Sequence, residues 1–98
     1  MIVVISAAAE ADLEAIGDHI AADDPARAVS FVRELRDRCT GLANIPKDFP
    51  FVPRYEHHGV RWRVHGLYLI FYRLEASTVT VLHILHGAMD YAPILFPS

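Results

Sequence analysis

At 98 residues the chain is long enough for one small domain, residues 1–98, and too short for two. Hydrophobic residues make up 53% and charged residues 21%, which excludes a disordered segment and leaves apolar surface over for a partner. A formal net charge of -3 with Lys47 as the single lysine argues against capture of nucleic acid by phosphate neutralisation, so no direct nucleic-acid binding by the chain alone is expected.

The chain begins with a β-branched run, Ile2-Val3-Val4-Ile5, read as a strand. No basic region precedes it, so no signal peptide is expected, and no apolar stretch approaches the ~20 residues that span a bilayer. The expected location is cytoplasmic. Ser6 is placed to cap a helix from about Ala7 to Ala22, with Glu10 and Asp12 near its positive end and Leu13, Ile16 and Ile20 at helical spacing. Asp24 and Pro25 then form an N-cap and first helical position for a second helix, from about Pro25 to Ala43. Its expected apolar stripe is Val29, Val32, Leu35, Cys39 and Leu42. So short a turn makes the two helices an antiparallel hairpin.

Pro46, Pro50 and Pro53 punctuate a loop. Beyond it the pattern alternates: Val60, Trp62 and Val64 face one way, and Arg61, Arg63 and His65 the other. His65-Gly66-Leu67 turns the chain into a strand from Tyr68 to Leu74, and Glu75-Ala76-Ser77 turns it into another from Thr78 to Leu85. The expected class is α+β: an N-terminal strand, then an antiparallel two-helix hairpin packed on one face of a C-terminal antiparallel three-strand meander.

Charge is segregated along this order. Every charged residue from Met1 to Asp24 is acidic, and the cations begin at Arg27. The single Cys39 excludes an internal disulfide framework, and its helical spacing from Leu35 and Leu42 marks a buried, inert thiol. Six histidines invite a metal reading that the geometry opposes. His83 and His86, three apart on a strand, are expected on opposite faces, and His57 and His58 have no partners at zinc-site spacing. There is no Gly-rich phosphate loop and no nucleophile elbow, so neither a metal nor a cofactor is expected. Arg61, Arg63 and His65, joined by His83 or His86, would suit RNA cleavage through the 2′-hydroxyl. The competing reading makes them solvent-facing strand residues or cations that pair with an acidic partner.

The segment Ile84-Leu85-His86-Gly87-Ala88-Met89-Asp90 ends the last strand. His86, Met89, Asp90 and Tyr91 are expected to anchor the chain's exit there, leaving Ile94, Leu95 and Phe96 to reach a protein partner.

Taken in order, "AEADLEAIGDHI", "PARAVSFVRELRDRCTGLANIP", "FVPRY", "GVRWRVHGLYLIFYRL" and "VTVLHILHGAMD" resemble the ParE branch of the RelE/ParE toxins of bacterial type II toxin–antitoxin systems. The resemblance covers essentially the whole chain and rests on the order and spacing of the pieces. It implies a protein-binding inhibitor of DNA gyrase and not an enzyme, neutralised by a ParD-like antitoxin in a hetero-oligomer. RelE-like members are instead ribosome-dependent messenger-RNA endonucleases, and a non-toxic relic that only binds its antitoxin is a third reading. The ParE-like ending reads Leu-His-x-x-Met-Asp, as Leu85, His86, Met89 and Asp90 do. Related toxins often carry Arg where Met89 stands, and a thioether has no charge to stabilise a phosphate. Arg61 and Arg63 fall where the nucleases place cations, and with Ile94, Leu95 and Phe96 they are the expected contacts to target or antitoxin. A sheet edge, an arginine-bearing face and an apolar tail would suit an extended, acidic, disordered segment.

Overall fold

The computed structural model describes residues 1–97. Strand β1 (Ile2–Ile5) leads into helix α1 (Ala7–Ala21), and a tight turn leads to helix α2 (Pro25–Thr40). The caps are those expected. Ala9 N–H donates to Ser6 Oγ and Arg27 N–H to Asp24 Oδ1, each at 3.0 Å, with Pro25 opening α2. A 3₁₀ turn, Gly41–Ala43, follows α2, and a second, Glu56–His58, closes the proline loop on Gly59 with φ +73°. Then come β2 (Val60–His65), β3 (Tyr68–Glu75) and β4 (Thr78–His86), and the chain ends in one helical turn, α3 (Ala92–Leu95).

The expected meander is present, and it is part of a four-stranded sheet in the order β1-β4-β3-β2. β2, β3 and β4 are antiparallel neighbours, whereas β1 lies parallel to β4, Ile2 opposite Thr78 and Ile5 opposite Val81. The first strand therefore completes the sheet against the last.

Both helices cover one face, as expected. Leu13 and Ile16 of α1 and Phe31, Leu35 and Cys39 of α2 bury against Ile70, Tyr72, Val79, Val81 and Ile84. The inward stripe of α2 begins at Ala28 and Phe31. Val29, expected on that stripe, is 61% exposed, because the sheet-facing residues follow spacings of three, four and four from Ala28 to Cys39. The opposite face carries a second cluster, with Val60, Leu69, Phe71 and Leu85 beneath Val52, Tyr55, Trp62, Tyr91, Leu95 and Phe96.

Leu82 is an extra residue in β4: Tyr72 pairs with Val81 and Phe71 with His83. The bulge precedes His83, and from His83 to His86 the register is regular, with His83 opposite Phe71 and His86 opposite Tyr68, residues of the two different clusters. The His83 ring nevertheless meets Asp12 of α1 at 2.8 Å, beyond the end of β1, and His86 lines a groove with Asp12 and His19.

Candidate functional site

The alternation of β2 holds, and the register fixes what each side faces. Arg61, Arg63 and His65 pair with Tyr72, Ile70 and Tyr68, which places them on the helix side. They are not free solvent-facing residues. Arg61 Nη1 donates to the Phe49 carbonyl at 2.7 Å, and its guanidinium lies 4.0 Å from the Phe51 ring centroid. Arg63 Nη1 donates to the Arg38 carbonyl at 3.2 Å, with its guanidinium 4.8 Å from the Phe49 ring centroid. Burial, then the adjacent Arg38 charge, pulls the Arg63 guanidinium below its ordinary value. His65 Nε2 lies 3.0 Å from Glu34 Oε1. Hydrogen bonds from Arg27 and then His65 hold the Glu34 carboxyl below the usual carboxylate range. The two arginines thus fasten the proline loop and the end of α2 to the sheet.

The end of β4 forms a second centre. His86 Nδ1 accepts the Ala88 N–H at 3.0 Å, so the neutral ring carries its proton on Nε2. The His86 carbonyl accepts the Met89 N–H, and Gly87 N–H donates to the Leu67 carbonyl at 2.8 Å. With its edge against Tyr68, the His86 ring shapes the exit turn. Tyr91 anchors the start of the tail, its ring 5.1 Å from Phe71 and 5.8 Å from Trp62. The side chains of Met89 and Asp90 are exposed, Met89 by 47%, and Asp90 enters no ion pair among the described residues.

The tail divides in a way its sequence does not suggest. Phe96 stacks on Tyr55 at 4.4 Å and 10° and lies 4.5 Å from His58, and Leu95 packs into the same cluster. Only Ile94 of the three is turned outward, 41% exposed. In this chain alone, Leu95 and Phe96 are half-buried on that cluster. The proline loop supplies the aromatic surface that receives Phe96, and nothing in the tail's own sequence announces it.

Asp12 is the residue whose importance the sequence hid. Its Oδ2 accepts the Ile84 N–H at 2.9 Å and lies 2.8 Å from His83 Nδ1. β1 pairs β4 only as far as Val81, and the rest of that edge is completed by α1. Ser6 Oγ donates to the Leu82 carbonyl, and Asp12 takes the Ile84 N–H. The available signal was length, four residues of β1 against nine of β4. Among the described residues, no three His, Cys, Asp or Glu side chains gather into a group that would hold a metal ion.

A hairpin of helices laid on one face of a small sheet, closed by its own first strand, is a fold shared with solved structures of toxin–antitoxin systems. The chromosomal ParDE toxin–antitoxin system from P. aeruginosa matches with a TM-score of 0.75 and 24% identity, covering 88% of this chain and 95% of that one. The toxin–antitoxin complex RelBE2 from Mycobacterium tuberculosis matches with a TM-score of 0.66 and 23% identity, over 90% and 92% of the two chains. No curated protein matches. The model of the ParE toxin of type II toxin–antitoxin systems, parDE, matches residues 3–91, and the chain belongs to that family.

Proposed function

We propose that this ParE-family toxin inhibits DNA gyrase by binding it, and that a ParD-like antitoxin encoded alongside neutralises it. The observation that carries the choice of gyrase over RNA is the engagement of Arg61, Arg63 and His65. A nuclease that cuts through the 2′-hydroxyl needs a cation at the phosphate and a group that moves the proton. Here Arg61 and Arg63 are committed to carbonyls of the chain itself and His65 to Glu34. The exposed Met89, beside the sheet's end, adds no charge. Arg61 and Arg63, which would exchange their carbonyl partners for acidic groups, and Ile94 on the opposite face are the proposed contacts to target or antitoxin, with Leu95 and Phe96 packed beside Ile94.

The test is a supercoiling reaction with purified gyrase, run beside ribosome-dependent cleavage of messenger RNA. Loss of supercoiling with accumulation of cleaved DNA, and intact messenger, is the expected outcome. Cleaved messenger with untouched supercoiling would overturn the proposal. Tight antitoxin binding with neither activity and no growth arrest would reduce the protein to a relic.

A further inference from the structure

The two edges of the sheet are finished differently. Along β2 the proline loop covers the outer backbone: Val52 N–H donates to the Val60 carbonyl at 2.9 Å, Trp62 N–H to the Pro50 carbonyl at 3.1 Å, and Phe51 bridges Arg61. At the other edge β4 is closed by β1 as far as Val81, and beyond that by Ser6 and Asp12. β1 itself has no such cover. Ile2 N–H donates to the Ser77 carbonyl and Ser6 N–H to the Val81 carbonyl, so Ile2, Val4 and Ser6 turn their backbone groups toward β4. Val3 and Ile5 alternate with them and turn theirs outward, where they meet no strand among the described residues. Sheet edges are ordinarily blunted by charge, proline or a bulge. β1 has none of these: the first charged side chain is Glu10, the first proline is Pro25, and the pairing with β4 runs without a register shift. Its side chains are apolar on both faces. Val3 and Ile5 pack into the core beneath the helices, whereas Ile2 is 65% and Val4 46% exposed on the opposite face.

We infer that the outer edge of β1 pairs antiparallel with β1 of a second copy of this chain. The register that uses both outward residues sets Val3 of each copy opposite Ile5 of the other, exchanging both hydrogen bonds. The two-fold axis then passes between Val4 and Val4 of the second copy, a close pair without hydrogen bonds, with Ile2 diagonal to it. The exposed side chains of Ile2 and Val4 become one apolar row across the axis, so the strand complements itself. An acidic segment would meet no cation on this strand, since Arg61 and Arg63 belong to β2 at the far edge. The contact is isologous and therefore closes. The doubled sheet ends at β2 on both sides, where the proline loop covers it. Because β1 and β2 are opposite edges, the dimer carries Arg61 and Arg63 at both ends, away from the contact.

The test measures the mass of the toxin alone by light scattering over a series from about 1 to 100 μM, a range that resolves a micromolar contact. The wild-type chain is expected to pass from monomer to dimer. Ile2→Lys combined with Val4→Lys puts charge on exposed positions of the edge and should raise the dissociation constant by about tenfold or more. Thermal melts establish that this variant folds, and if it does not, Val4→Lys alone carries the measurement. Val29→Lys, on the exposed face of α2, should leave the dimer unchanged. Amide exchange at Val3 and Ile5 should slow as the dimer fills. A wild-type chain that stays monomeric through the series overturns the inference, and so does a dimer in which these two amides exchange freely. A dimer lost in Val29→Lys and kept in the lysine pair would overturn it in favour of a contact through the helices. A monomeric chain whose antitoxin binding is weakened by the lysine pair would overturn it in favour of an antitoxin strand at this edge.

Discussion

Tyr72 joins two parts of the molecule through one atom. It is fully buried on the helix face, and its hydroxyl donates to the Pro46 carbonyl at 2.6 Å, tying β3 to the start of the proline loop. Burial pushes the phenol up from 10.0 to about 12, and the Cys39 thiol up from 9.0 to about 11. Both groups hold their protons more tightly folded than unfolded. Their contribution to stability is therefore whole below pH 9, and it is lost as pH rises through the folded values of about 11 and 12. Denaturant titrations across this range should show stability falling with pH. Tyr72→Phe should cost about 0.5–1.5 kcal/mol near neutrality and flatten the alkaline slope, leaving the part due to Cys39. An unchanged slope would mean that Tyr72 is not the group that resists ionisation. Cys39 is buried, as its spacing from Leu35 and Leu42 indicates.

Among the elements, the tail is the one whose packing its sequence foretells least. The one-turn α3 brings Leu95 and Phe96 back onto the second cluster, where Phe96 lies flat on Tyr55. Truncation after Pro93 should remove roughly 2 kcal/mol of burial, a fall in melting temperature of about 10 °C for a domain of this size. A melting temperature unmoved by the truncation would return the tail to the role of a free arm. The regular elements themselves were legible in advance, because capping, proline placement and the change from helical to alternating spacing are local signals. Ser6, Asp24 and Pro25 mark the helix starts, and the alternation from Val60 to His65 gives β2. The rest depends on contacts between distant residues. Nothing near Ile2 names Thr78 as its partner, and no pattern in Thr78–His86 reveals the extra residue Leu82 or the contact of His83 with Asp12. Arg61 and Arg63 were correctly placed together on one face, but only the register against Ile70 and Tyr72 shows that this face lies under the helices. Asp12, read as a charge near a helix start, acts instead on a strand 72 residues away.

At the scale of the whole molecule, the two helices, the last strand and the first share one core. Val3 and Ile5 pack with residues of α1, α2, β3 and β4. Unfolding should accordingly be a single event, with far-ultraviolet dichroism and Trp62 fluorescence following one curve in denaturant. A separate early transition of either probe would show that one face melts independently. The parallel pairing of β1 with β4 also imposes an order of events on synthesis. The helical hairpin emerges from the ribosome with its apolar stripes made and no sheet to cover them. The partner of β1 follows roughly 40 residues after α2 ends, about 2–8 seconds later at ordinary rates of elongation. Until Thr78–Val81 has been translated the growing polypeptide has no completed sheet, so the hairpin waits unclosed while β2 and β3 are made.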